Sequence, residues 1–111
     1  MVDVNVSNHN NVTLIEVSGR IDSMTANQLG DALGTEIDGG NVNVVLDLSH
    51  VDYMSSAGLR EIVTALKKVK RSQGNMVLAQ PSDRVREVLE MAGLDTIFRI
   101  FAGQDEAISS F

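Results

Sequence analysis

The sequence predicts a single α/β domain in which helices pack on a mixed β-sheet, in the order β-β-α-β-α-β-α-β-α. The length of 111 residues fits one domain, which we expect to span residues 1–111. Stretches in which every second residue is apolar, as in strands, are followed by stretches in which apolar residues recur every three or four positions, as in helices. Strand-helix-strand connections favour parallel pairing for the later strands, and the two opening strands would form an antiparallel edge.

The first two predicted strands form a hairpin. Val2 to Val6 alternates valine with polar residues, which is typical of a strand with one buried face. Asn8 to Asn11 favours a turn, because asparagine tolerates the left-handed backbone conformation. Val12 to Val17 is the second strand, and Gly19 marks its predicted end.

A helix and the central strand follow the hairpin. From Ala26 to Ile37 the apolar residues fall on one helical stripe, with Asp22 or Ser23 as the predicted N-terminal cap. Gly39 and Gly40 then end the helix. The nearly continuous apolar run from Val42 to Leu48 predicts a strand that is covered on both faces, and therefore the centre of the sheet.

The second half of the chain predicts a loop, three helices and two short strands. Ser49 to Met54 is predicted as a loop, and Leu59 to Val69 as an amphipathic helix with a basic last turn. The remaining predicted elements are a strand from Met76 to Ala79, a helix capped by Ser82 or Asp83 that buries Val85, Val88, Leu89 and Ala92, a strand from Ile97 to Phe101, and a helix from Gln104 to Phe111.

Composition and charge exclude several classes of function. Fifteen acidic residues against nine basic ones give a net charge of −6, which argues against binding to nucleic acid or an anionic membrane surface. No apolar run reaches the ~20 residues that span a bilayer, and the N-terminus lacks a signal-peptide pattern. The absence of cysteine excludes disulfides and cysteine nucleophiles. We therefore expect a cytoplasmic protein.

No cofactor or metal site is predicted. His9 and His50 are far apart in sequence and lack a matching pattern of acidic ligands. The common hydrolase and nucleotide-binding fingerprints are also absent. Met24, Met54 and Met91 are interpreted as apolar filler, although exposed methionines would suit an adaptable interface.

The start of the predicted Leu59 to Val69 helix is the most unusual segment. It places the small residues Ser55, Ser56, Ala57 and Gly58 directly after the central strand and its loop. One interpretation is a plain N-terminal cap, which needs only one serine hydroxyl. The other is a serine that carries a phosphate, because free amides and the helix dipole stabilise an anion at this position.

Three segments resemble the STAS domain, in particular that of bacterial anti-sigma factor antagonists. The signature loop is matched by Asp47-Leu48-Ser49 followed by Val51-Asp52-Tyr53-Met54-Ser55-Ser56-Ala57-Gly58-Leu59-Arg60. The first turn is matched by Gly19-Arg20-Ile21-Asp22 with Ala26. The closing segment is matched by Ala92-Gly93-Leu94-Asp95 with Ile97-Phe98 and Ile100-Phe101.

This resemblance implies a regulatory protein that switches partners and has no enzymatic activity. Such proteins bind an anti-sigma factor that is also a serine kinase of the GHKL ATPase type, which frees a sigma factor for transcription. The kinase phosphorylates one serine of the antagonist, and a 2C-type phosphatase removes the phosphate. By position, the acceptor here is Ser56, with Ser55 as the alternative, since Ser55 replaces the aspartate that many members carry before the acceptor.

The resemblance also implies a partner-binding surface that joins the signature loop to the first turn. Arg60 and Glu61 would lie at its polar rim. The predicted contact residues are Asp22, Ser23, Asp52, Tyr53, Met54, Ser55, Ala57, Gly58, Arg60 and Glu61.

Two other functions remain open at this point. The chain could be a scaffold or phospho-switch component of a stress-sensing or other signalling assembly that does not act on a sigma factor. A hydrolase with Ser56 as nucleophile would need an adjacent base, for which His50 is the nearest histidine in sequence.

Overall fold

The computed structural model describes residues 2–111, which form one five-stranded sheet with helices on both faces. The predicted order of strands and helices is confirmed. The strands are β1 (Val2–His9), β2 (Val12–Ile21), β3 (Asn43–Met54), β4 (Asn75–Ala79) and β5 (Ile100–Phe101). The helices are α1 (Ala26–Asp38), α2 (Ser56–Arg71), α3 (Asp83–Met91) and α4 (Gln104–Ser109), with a short 3-10 helix at Leu94–Thr96.

The strands lie in the spatial order β1-β2-β3-β4-β5, which puts β3 at the centre as predicted. β1 and β2 pair antiparallel, and the remaining neighbours pair parallel, so the predicted mixed sheet is also confirmed. The hairpin turn places Asn10 at a φ of 60°, the left-handed region that asparagine tolerates.

The central strand is buried on both faces because its side chains alternate between two cores. Val44, Leu46 and Leu48 belong to the larger core, which α1, α2 and α3 cover. Val45 belongs to a smaller core on the opposite face, where α4 contributes Ala107. The apolar run in the sequence therefore reflects burial from two sides.

The predicted loop from Ser49 to Met54 is wrong, because β3 continues to Met54. Its extension pairs with the last residues of β2, which itself continues to Ile21. Two register shifts interrupt this pairing, and Gly19 lies at one of them with a φ of 106°, a conformation that glycine adopts without strain. The irregular pairing breaks the apolar alternation, which explains why the pattern resembled a loop.

Three smaller predictions near the C-terminus also need correction. β5 begins only at Ile100, because the preceding residues form the 3-10 helix and an irregular turn. Ala92 is exposed as the C-cap of α3, and α4 ends at Ser109.

Within residues 2–111, no helix is long and apolar enough to cross a membrane.

Candidate functional site

The carboxyl end of β3 leads directly into α2 through a single residue, Ser55. Its backbone is extended, with a φ of −86° and a ψ of 170°, and its Oγ accepts a hydrogen bond from Gly58 N–H at 3.3 Å. This is N-cap geometry, since the hydroxyl satisfies one of the amides that have no partner in the first helical turn. Ser55 therefore fulfils the predicted capping role.

Ser56 is the first residue of α2, and its position differs from that of its neighbour. The residue is exposed, whereas Ser55 is half-buried. Across residues 2–111 no hydrogen bond engages the Ser56 Oγ atom. The first turn of α2 contains no acidic side chain, Arg60 follows one turn after Ser56, and three further basic residues, Lys68, Lys70 and Arg71, lie in the last turn. The Ser56 hydroxyl is thus accessible at the positive end of a helix dipole.

The turn before α1 is held by the side chains of Asp22 and Thr25. Asp22 Oδ1 accepts hydrogen bonds from Met24 N–H at 2.9 Å and from Thr25 N–H at 3.1 Å. The Thr25 hydroxyl donates to the Arg20 carbonyl at 2.8 Å and accepts from Asp22 N–H at 2.9 Å. The bond from Met24 N–H is the main cause that lowers the pKa of the Asp22 carboxyl, and Thr25 and Arg20 add to it.

This turn, residues 22–25, lies beside the start of α2. Ser55 N–H donates to the Ile21 carbonyl at 2.8 Å, which ties the end of β2 to the N-cap of the helix. One position earlier, the Arg20 guanidinium lies 4.2 Å from the centre of the Tyr53 ring and 3.3 Å from Asp22 Oδ2. The two predicted segments therefore meet at one end of the sheet.

Gly58 allows α2 to approach the strands closely. A Cβ atom at this position would lie 2.5 Å from Met54 Sδ and 2.6 Å from Ile21 Cγ2, far inside normal contact distances. Both neighbours are buried, so they have little room to move. The glycine is thus required by packing, and it fixes the height of the α2 N-terminus above the sheet.

The predicted contact residues differ widely in exposure. Ser23, Asp52 and Arg60 are exposed, as is the acceptor Ser56, and Asp22, Tyr53, Ser55, Ala57 and Glu61 are half-buried. Met54 and Gly58 are buried, with Met54 only 2% exposed. These two residues support the surface from beneath, and the expectation that they contact a partner is corrected for this conformation.

Three further residues, Asp22, Ser23 and Glu61, lie differently from their predicted positions. The N-cap of α1 is Thr25, while Asp22 organises the preceding turn and Ser23 is exposed within it. Glu61 points toward α1, where its carboxylate occupies the space that a side chain on Gly30 would fill. The apolar periodicity of α1 does not reveal that Thr25 is the N-cap, because Thr25 belongs to the turn from Asp22 to Thr25, which lies before the periodic residues begin.

The methionines divide into buried and exposed ones. Met24 is 85% exposed and Met91 is 82% exposed, so the interpretation of these two as apolar filler is wrong. Met54 is core filler, as predicted.

A catalytic role for Ser56 would require a base, for which His50 is the nearest histidine in sequence. His50 Nδ1 lies 3.1 Å from Ser49 Oγ, and no base hydrogen-bonds the Ser56 hydroxyl within residues 2–111. In the same part of the chain, no group of three or more histidine or acidic side chains is arranged to hold a metal ion.

Comparison with known proteins gives the same family from sequence and structure. The profile of the STAS domain matches residues 3–107. The proposed anti-sigma factor antagonist BtrV of Bordetella bronchiseptica is 38% identical over 95 residues, covering 86% of this chain and 82% of BtrV. The anti-sigma-F factor antagonist RsfB of Mycobacterium tuberculosis is 32% identical over 108 residues, covering 97% of this chain and 88% of RsfB.

A solved structure supports the assignment. The anti-sigma factor antagonist from Mycobacterium paratuberculosis superimposes with a TM-score of 0.90 at 27% identity, covering 99% of this chain and 93% of that chain. Agreement over nearly the full length shows that the resemblance extends beyond the signature loop. The chain belongs to the STAS-domain family, in the group of the anti-sigma factor antagonists.

Proposed function

We propose that this chain is an anti-sigma factor antagonist that switches partners through phosphorylation of Ser56. In its unphosphorylated form it binds an anti-sigma factor that is also a serine kinase of the GHKL ATPase type, and so promotes sigma-factor-dependent transcription. The kinase transfers a phosphate to the Ser56 hydroxyl, binding is lost, and a 2C-type phosphatase restores the starting state. The chain itself performs no catalytic step.

One observation carries the choice of acceptor. Ser56 is exposed and its hydroxyl has no hydrogen-bond partner within residues 2–111, whereas Ser55 is half-buried and its hydroxyl caps α2. A kinase needs an accessible hydroxyl, and transfer to Ser55 would also disrupt the cap. Family membership supports the same function, because relatives that align over most of this chain are named as anti-sigma factor antagonists.

Electrostatics explains how one phosphate would control binding. A phosphoserine adds about −1.5 to −2 charges to a chain whose net charge is already −6. The dipole of α2 offsets about 0.3–1 kcal/mol of this, and Arg60, one helical turn further along, adds a neighbouring cation, so we expect the fold to survive. Burying the phosphate against a partner that lacks a compensating cation would cost several kcal/mol.

The proposed partner surface consists of the acceptor Ser56 and of the exposed and half-buried residues among the predicted contacts: Asp22, Ser23, Asp52, Tyr53, Ser55, Ala57, Arg60 and Glu61. Charge reversal at its rim is expected to slow association and alter its salt dependence. The lysines in the last turn of α2 lie at the other end of the helix and serve as controls.

A pull-down from the native organism tests this function. The bait is the wild-type chain, Ser56→Ala or Ser56→Asp, and the captured proteins and phosphosites are identified by mass spectrometry. We expect wild type and Ser56→Ala to capture an anti-sigma factor, Ser56→Asp to lose it, and Ser56→Ala to resist phosphorylation.

The matched control is Ser72→Asp, which adds the same charge at the C-cap of α2, about 24 Å along the helix from Ser56. This variant should bind like wild type. Capture of a signalling assembly without an anti-sigma factor would favour the scaffold role instead, and a phosphate found only on Ser55 would overturn the acceptor assignment.

A further inference from the structure

We propose that Met24 is the apolar anchor of the proposed partner surface, and that its side chain enters a pocket lined by apolar side chains on the anti-sigma factor. This inference rests on the proposed function and adds a contact that the signature loop does not contain. It assigns a large part of the affinity to a residue outside the phosphorylated segment.

Met24 is the most exposed of the large apolar side chains within residues 2–111, at 85%. An exposed methionine gains free energy when a partner removes it from water, and its unbranched thioether adapts to an irregular pocket. The side chains on either side of it in sequence, Ser23 and Thr25, are polar. A partner pocket would therefore have one apolar group to receive, with hydroxyl groups around it.

The backbone under Met24 is held rigidly, which lowers the entropic cost of binding. Its own N–H donates to Asp22 Oδ1 at 2.9 Å, and the Thr25 hydroxyl pins the turn to the Arg20 carbonyl at 2.8 Å. A side chain presented on a turn held in this way keeps its position before the partner arrives. The local hydrogen bonds of Asp22 and Thr25 therefore fix the backbone that presents Met24.

The turn that carries Met24 lies next to the segment that carries Ser56. The Ile21 carbonyl accepts from Ser55 N–H at 2.8 Å, so the turn that begins at Asp22 starts beside the N-cap of α2. Binding sites commonly have an apolar anchor at their centre and polar or charged residues around it. Met24 would be that anchor, and the segment that carries Ser56 would lie beside it. A partner that covers Ser56 would then also cover Met24.

Met91 provides an internal comparison, because it is 82% exposed but lies elsewhere. The N-cap of α3, Ser82, bonds to the Val51 carbonyl near the site end of β3. Met91 is the last residue of α3, about 12 Å further along the helix axis than its first residue. Exposure alone does not distinguish the two methionines, but their location does.

Titration calorimetry of the purified anti-sigma factor from the same organism into the full chain tests the proposal. The variants are Met24→Ala, Met24→Leu, Met24→Gln and Met91→Ala. We expect Met24→Ala and Met24→Gln to weaken binding by about 10- to 100-fold, whereas Met24→Leu stays within about threefold of wild type. Met91→Ala should match wild type, and none of the variants should lower the melting temperature.

The outcomes separate this inference from the proposed function. If wild type binds and Met24→Ala binds equally well, the anchor is wrong while the function stands. If wild type fails to bind any anti-sigma factor, both fall. Loss of affinity only in Met91→Ala would place the apolar contact on α3, and a Met24→Ala variant that instead abolished self-association would show that a second copy of this chain occupies the site.

Discussion

Ser55 and Ser56 carry the same hydroxyl on adjacent residues, and the backbone gives them different roles. Ser55 precedes the first helical residue, so its Oγ reaches back to Gly58 N–H, whereas Ser56 is already helical and its side chain is exposed. Aspartate forms the same kind of cap as serine. The substitution of serine for the more usual aspartate therefore preserves the start of the helix.

The cap at Ser55 predicts a measurable loss of stability. Ser55→Ala should lower the free energy of unfolding by about 1 kcal/mol, because one first-turn amide loses its partner, while Ser55→Asp should retain it. Urea denaturation at neutral pH measures both. Ser56→Ala serves as the control and should change the free energy by less than about 0.5 kcal/mol, since its hydroxyl is exposed. Equal losses for the two alanine variants would contradict the assignment of the cap.

The hydrogen bonds to Asp22 predict a pH dependence. Because the bond from Met24 N–H lowers the folded-state pKa, the ionised carboxylate stabilises the fold above the unfolded pKa of about 3.9. That stability is lost as the pH falls through the folded-state pKa. Asp22→Asn keeps an oxygen acceptor but no charge, so wild type should be the more stable protein at pH 7 and the difference should vanish in acid. Urea midpoints measured across this range check the sign, and a difference that grew in acid would contradict it.

The two segments that meet at this candidate site were predicted from the residues and from the family resemblance, and the features that were missed have physical causes. The serine cap at the start of α2 was predicted, because it depends on a local hydrogen bond that the sequence encodes, whereas Asp22 was predicted as the cap of α1 and instead organises the turn before it. The exposure of Met24 was not predicted, since periodicity treats every methionine near a helix as core. The burial of Met54 beneath Gly58 depends on the crossing of two elements, which no local pattern contains.

At the scale of elements, the contact between α2 and the two central strands positions the site. Gly58→Ala should lower the free energy of unfolding by about 1–3 kcal/mol, because the added methyl group meets Met54 and Ile21. Gly34→Ala, within α1, is the matched control. The nearest neighbour of the added methyl group would be Lys68 Nζ at 3.7 Å, which is an ordinary contact. The free energy of unfolding of Gly34→Ala should therefore rise by about 0.5–1 kcal/mol, because alanine has the higher helix propensity. Thermal or urea unfolding should give opposite signs, and a stabilising Gly58→Ala would contradict the packing argument.

The elements also show where sequence patterns fail. β3 was predicted to end at Leu48, because the run after it mixes polar and apolar residues, but the strand continues by pairing irregularly with β2. The extension carries Tyr53 to the ring contact with Arg20 and brings Met54 under α2. Register shifts depend on the neighbouring strand, so single-strand periodicity does not reveal them.

In the molecule as a whole, α4 covers the second face of the sheet with Ala107 and is tied to the strands by one glutamine. The Gln104 amide donates to Glu16 Oε2 at 3.0 Å and to Asp47 Oδ2, and Asp47 is only 2% exposed. Gln104→Ala should destabilise the fold by about 1–3 kcal/mol, because the buried carboxylate loses a donor. Gln28→Ala, exposed on α1, is the control and should be nearly neutral. Urea denaturation distinguishes them, and equal effects would show that this bridge contributes nothing.

In the proposed mechanism, a phosphate on Ser56 controls binding without unfolding the chain. The most direct measurement is calorimetric titration of the anti-sigma factor into the chain before and after stoichiometric phosphorylation, with circular dichroism of both forms. We predict unchanged dichroism and a loss of affinity of at least about 100-fold, from a cost of several kcal/mol. Equal affinity for the two forms, or a phosphorylated chain that had lost its helical signal, would contradict the account.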